Sequence, residues 1–235
     1  MPYADVEKLN KHLLYAAQRK TRYCIGNNTG SVAIVTGVSR AELLRRGVVG
    51  GGALLLSASG ASALAGVASA GTIPDADLAY LRLLIAAELL ALDFQTHALA
   101  SGKLRHHGAS AVIRRMRADE KAHYNHLASV LTAAGETPAT SGDIDFSYPK
   151  DSFRTQASTL RLAGRLERLL VGAYVGAIEN VETPELRLPI GQIAANEAQH
   201  AGALAALGGR AVIGKAFAPA LQIGAVSDAL DEFES

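Results

Sequence analysis

The chain has 235 residues, 49% of them hydrophobic and 19% charged, enough for one substantial core and one domain. A single cysteine, Cys24, excludes an internal disulfide and any cysteine-built metal site. The net charge of +1 hides an asymmetry: residues 1–70 carry 8 Lys+Arg and 3 Asp+Glu, so residues 71–235 are mildly acidic and give no support for nucleic-acid binding.

Residues 1–70 read as an extension with an export signal. Residues 47–70 are uncharged and rich in Gly, Ala and Ser, with Arg45 and Arg46 just ahead of them. Small-residue triplets, the last from Ala68 to Ala70, suit cleavage by a signal peptidase. SRAELLRRG (39–47) resembles a twin-arginine signal in either of two alignments, one using Arg45-Arg46 and one using Arg40 with Ala41 in place of the second arginine. The alternative is a retained membrane anchor over 47–70. Residues 1–38 lack the periodicity of a domain, and Val38 is read as an alternative start.

Ala and Leu dominate the chain beyond Ala70, aromatics are 5%, and β-branched runs are few, so an all-α domain is expected over 71–208. The first helix opens at Asp75/Asp77 and carries an apolar stripe through Leu78, Leu81, Leu84, Leu89 and Leu92 to about Ala100. The second starts near Ser110, with Met116 and Leu127 on its stripe, and ends at Gly135. Turn residues fill 135–152, which predicts a long connection. The third helix is expected from Asp151/Ser152 and the fourth from Pro184/Glu185 to Leu207, kinked at Pro189. Residues 209–235 form a C-terminal tail with a short helix near 225–233.

Each of these four helices interrupts its apolar face with a carboxylate: Glu88, Glu120, Glu167 and Glu197. Two of them add a histidine three residues on, His123 and His200. Positions i and i+3 project from one helix face, so each Glu-His pair can address one centre. Unpaired buried carboxylates are expensive, and the arginines lie off these stripes. Four carboxylates and two imidazoles suit two iron or manganese ions. Chance placement of 12 Glu and 7 His in 235 residues yields fewer than one Glu-x-x-His; two occur. The order repeats as well, because Glu88 precedes Glu120 by 32 residues and Glu167 precedes Glu197 by 30. Glu179 is the alternative carboxylate of the third helix. His126 is read as a helix-surface residue, with a third imidazole ligand as its alternative. Tyr174 is read as a core residue with a bonded hydroxyl, or else as redox-active.

LERLLVGAYVGAI (166–178) and IAANEAQHAGAL (193–204) resemble the third and fourth helices of the ferritin-like superfamily. The closest likeness is to bacterial ferritin-like domain proteins of the type also seen in plant desiccation-related proteins, over about 72–207. The resemblance implies an up-down four-helix bundle with one long crossover between helices two and three. It implies Glu88 and Glu167 as ligands, Glu120 and Glu197 as bridging carboxylates, and His123 and His200 as terminal imidazoles. It further implies that Asp119 orients a histidine, with Asn196 a departure at the matching position of the fourth helix. The expected function is an exported di-metal protein, di-iron first, with oxidase, ferroxidase or peroxide chemistry. A dimanganese catalase-like enzyme and a non-catalytic stress or desiccation bundle are the competitors. Expected partners are metal ions, oxygen or peroxide and the export machinery, with a monomer or homodimer as the assembly.

Overall fold

The structure, a computed structural model, describes residues 73–105 and 108–234. The signal residues Arg40, Arg45 and Arg46, the cleavage residues Ala68 and Ala70, and the anchor segment 47–70 lie outside the described residues. Among those described, no helix is long and apolar enough to cross a membrane.

Among the described residues five helices succeed one another: α1 (Asp75–Ala100), α2 (Ala109–Ala133), α3 (Gln156–Asn180), α4 (Pro184–Leu207) and α5 (Ile223–Asp231). α1 packs along α2 and α3 along α4, and the two hairpins meet chiefly through α1 and α3. This is the all-helical bundle expected from the apolar periodicity. Gly102, Gly108 and Gly135 take positive φ at the ends of α1 and α2, where a residue without a Cβ is at home.

α3 starts later than its sequence predicts. Asp151 adopts a left-handed φ of 67°, which keeps that turn out of the helix. The helix begins after Thr155, whose side chain accepts the Ser158 N–H while the Ser158 hydroxyl oxygen accepts the Thr155 N–H. α4 continues through Pro189, which removes one ladder bond near an exposed first turn.

α1 is buried on nearly every side from Leu83 to Ala91, where one stripe was expected. The crossover and the C-terminal segment cover its outer face. Phe94 lies 5.6 Å from Tyr148 and 5.3 Å from Phe153, ring centre to ring centre. The Tyr148 hydroxyl donates to Asp93 at 2.7 Å. The Ser147 N–H donates to the Phe233 carbonyl at 2.7 Å, tying the crossover to the chain end. Val226, Leu230 and Phe233 thereby join the core.

Two glycines of α3 admit this segment. The Leu221 N–H donates to the Gly172 carbonyl at 2.9 Å. Leu221's own carbonyl lies against Gly176, in space that a Cβ would fill.

Asp77 does more than open α1. It is fully buried and accepts the N–H groups of Glu182 and Thr183 at 2.9 and 2.8 Å, pinning the α3–α4 turn to the start of the bundle. Asp77→Ala leaves both donors without their partner. We expect a loss of about 3 kcal/mol, read as a lower urea midpoint.

Candidate metal centre

The four mid-helix carboxylates and the two histidines converge between the hairpins. Glu88, Glu120 and Glu197 are inaccessible to solvent, and Glu167 is almost so. They fall into two donor groups, Glu88, Glu120, His123 and Glu197 on one side and Glu120, Glu167, Glu197 and His200 on the other; in each group the donor atoms lie within 4.8 Å of one another. Glu120 and Glu197 belong to both.

Individual atoms make the sharing explicit. Glu120 turns Oε2 to His123 Nδ1 at 3.2 Å and Oε1 to His200 Nδ1 at 3.3 Å. Glu197 turns Oε1 to His123 Nδ1 at 2.9 Å and Oε2 to His200 Nδ1 at 3.3 Å. Each therefore offers one oxygen to each side. Glu88 serves the His123 side, 3.7 Å from its Nδ1, and Glu167 the His200 side at 3.4 Å. The imidazole rings lie 6.4 Å apart, centre to centre. Glu179 is exposed, which leaves Glu167 as the α3 carboxylate of the site.

Asp119 and Tyr174 support this arrangement. Asp119 Oδ2 lies 3.4 Å from His200 Nε2 and 2.9 Å from Arg115 Nε, so it can orient the ring while Nδ1 faces the carboxylates. Asn196, at the matching position of α4, is half-buried and makes no hydrogen bond to His123. The two imidazoles are thus held unequally. Tyr174 is fully buried and donates its hydroxyl to Glu88 Oε1.

Gln95 was not anticipated. It is buried and donates from Nε2 to Glu120 Oε1 at 2.9 Å. It stands two turns beyond Glu88, as Tyr174 stands two turns beyond Glu167. That matching interval of seven residues was the signal available in the sequence.

Do these residues fit metal ions? Glu88 Oε2, Glu167 Oε2 and Glu197 Oε1 are buried without a hydrogen-bond partner among the described residues. Glu197 Oε1 is near His123 Nδ1 but out of line for a hydrogen bond. One ring nitrogen cannot satisfy three carboxylates, and His123 and His200 each face three. Orphaned buried oxygens around two nitrogen donors are what hard or borderline cations complete.

Protonation points the same way. Burial, reinforced by neighbouring carboxylates, pushes Glu88 and Glu167 well above the usual carboxylate range. Burial pushes Glu197 up too, but the two imidazoles outweigh it and hold it at about 2. Burial lowers His123, yet Glu120, Glu197 and Glu88 raise it to about 12; burial lowers His200 as well, and Glu120, Glu167 and Glu197 raise it well above its ordinary value. Without a cation, these upward shifts favour protons on Glu88, Glu167, His123 and His200, which offset the cluster's charge. Two divalent cations carry the same charge as those protons.

These shifts make stability depend on pH. Glu88 and Glu167 have folded values above their ordinary 4.5, and His123 and His200 above their ordinary 6.5. For each raised group, stabilisation of the metal-free fold is complete below the ordinary value and drains as pH rises towards the folded one. Glu197 works in the opposite sense, between its folded value of about 2 and its ordinary 4.5. The melting temperature of metal-free protein should therefore fall from about pH 5 to about pH 9, while metal affinity rises over that range. Thermal scans across pH with and without Mn(II) check both slopes.

Carboxylates and Glu-x-x-His pairs from opposed helices converge on one buried centre in a helical bundle, a cluster whose donors could hold metal. The sequence profile described as ferritin-like domain matches residues 76–210. The chain belongs to this ferritin-like family. Among curated proteins none matches it.

Proposed function

We propose that the protein is an exported ferritin-like oxidoreductase whose working centre is a carboxylate-bridged pair of iron ions. The observation that carries this reading is the sharing of Glu120 and Glu197 between two donor groups. In the proposed centre, Glu88 and His123 would hold one ion, Glu167 and His200 the other, and Glu120 and Glu197 would contribute to both. Two Fe(II) ions there would supply two electrons to dioxygen or peroxide.

The chain's own residues set the conditions for that chemistry. The buried carboxylates balance the ionic charge and exclude water. Asp119 fixes the His200 ring, Gln95 fixes one oxygen of Glu120, and Tyr174 holds Glu88 by a proton on its hydroxyl. Burial pushes the Tyr174 phenol well up, so that proton stays in place. Export is supported by the basic residues Arg40, Arg45 and Arg46 ahead of an uncharged run ending at Ala70. The likeness of 166–178 and 193–204 supports placement with desiccation-related members of the family.

Oxygen and nitrogen donors accept manganese as well as iron, so the test has two arms. Protein loaded anaerobically with Fe(II) is mixed with dioxygen or peroxide, and protein loaded with Mn(II) with peroxide. Oxidant consumption matching two electrons per loaded chain in the iron arm supports the proposal. Sustained peroxide breakdown in the manganese arm alone transfers it to a dimanganese enzyme. Inertness in both arms defeats the enzymatic reading and leaves a structural bundle.

A further inference from the structure

A pocket of about 230 Å³ opens beside the centre, where α2 and α4 come together, lined by Ala122, His123, His126, Pro189, Gln192 and Ile193. It contains one ligand of the proposed centre, His123. That ligand is also the least covered of the six, its side chain 12% exposed against 6% for His200 and 3% for Glu167. The pocket is thus the side on which the centre comes nearest to solvent.

His126 lies one turn beyond His123. Its Nε2 is shielded from solvent and has no hydrogen-bond partner among the described residues. A shielded ring nitrogen left idle is unfavourable unless something occupies it part of the time. It is not a standing member of the centre, because neither donor group contains it. Beside it, Ala122, Pro189 and Ile193 offer no polar group to the pocket, so His126 and Gln192 are the neutral donors an incoming cation would meet first.

We propose that this pocket is the port through which divalent cations reach the centre, with His126 Nε2 and the Gln192 amide oxygen as passing ligands. A neutral nitrogen and a neutral oxygen bind a dication weakly enough to release it. The anionic carboxylates behind His123 then hold it more tightly, which gives the transfer its direction. This rests on the metal reading above, and its test separates the two.

The test tracks Co(II) uptake by metal-free protein in stopped flow, using the visible cobalt absorption, which needs no oxygen chemistry. His126→Ala removes the passing ligand, and Ala122→Trp, at an exposed position, plugs the mouth. Both variants should load about tenfold more slowly, with unchanged final cobalt content and an unchanged melting temperature of the metal-free form. Uptake at the wild-type rate in both overturns the port. Loss of cobalt content in His126→Ala at an unchanged rate also overturns it, since His126 would then be a resident ligand. Absence of uptake by the wild-type protein overturns the metal reading itself and the port with it.

Discussion

Glu120→Ala or Glu197→Ala should empty both metal positions, whereas Glu88→Ala or Glu167→Ala should empty one. The difference arises from geometry. Glu120 and Glu197 each send one oxygen to each imidazole side, so in the proposed centre removing either would strip a ligand from two ions at once. Glu88 and Glu167 each serve a single donor group. Ligands that bind only the folded state stabilise it, by about 4 kcal/mol at a thousandfold excess over Kd. For a bundle of this size that is roughly a 10 °C rise in melting temperature. Wild-type protein should show the rise on adding Mn(II), the bridging variants none of it, and the terminal variants a part. Glu120→Gln, which keeps the shape of the side chain, guards against a fold too damaged to interpret.

Gly176→Ala should be the most disruptive substitution outside the centre. A Cβ there collides with the carbonyl carbon and oxygen of Leu221, and backbone atoms cannot rotate away as a side-chain tip can. The segment must lift off α3, breaking the hydrogen bond from Leu221 to Gly172. Val226, Leu230 and Phe233 lose cover with it. The expected loss is about 3 kcal/mol or more, seen as a lower urea midpoint. Metal content should stay at the wild-type level, because α5 packs outside the ligand cluster against α1 and α3. Destabilisation and metal loss are thus separable, one at each face of α3.

The convergence of the six cluster residues was the most legible part of the sequence. A carboxylate on an apolar stripe is conspicuous, and its repetition in four helices, twice with a histidine one turn on, leaves little freedom in where the side chains meet. The limits of α1 and α4 were legible for a similar reason, since Pro74, Pro184 and Gly208 punctuate them locally. What escaped depends on residues distant in sequence. α1 reads as a one-faced helix, yet Tyr148, Phe153 and α5 cover its other side from more than fifty residues away. Asp77 reads as a helix opener, and only the return of the chain at Glu182 and Thr183 reveals its second task. Gln95 was overlooked because an amide is a poor metal ligand, although it stands where Tyr174 stands in the other half. The start of α3 was misplaced because Asp151-Ser152 imitates a cap ahead of the reciprocal Thr155–Ser158 pair.

The inequality between the two imidazoles has a chemical consequence for the proposed centre. His200 has Asp119 at its outer nitrogen, whereas Asn196 does not reach His123. A carboxylate partner makes an imidazole a stronger donor, so the ion beside His200 should be the more firmly held. In the proposed centre the other ion would lie on the side of the pocket lined by His123 and His126.

The most direct measurement is elemental analysis of protein purified without added metal or chelator, with iron and manganese counted per chain. Two ions per chain is the predicted result. No metal as purified, and none after anaerobic loading with Fe(II) or Mn(II), would contradict the account and leave the six residues a buried polar cluster with no ion to complete it.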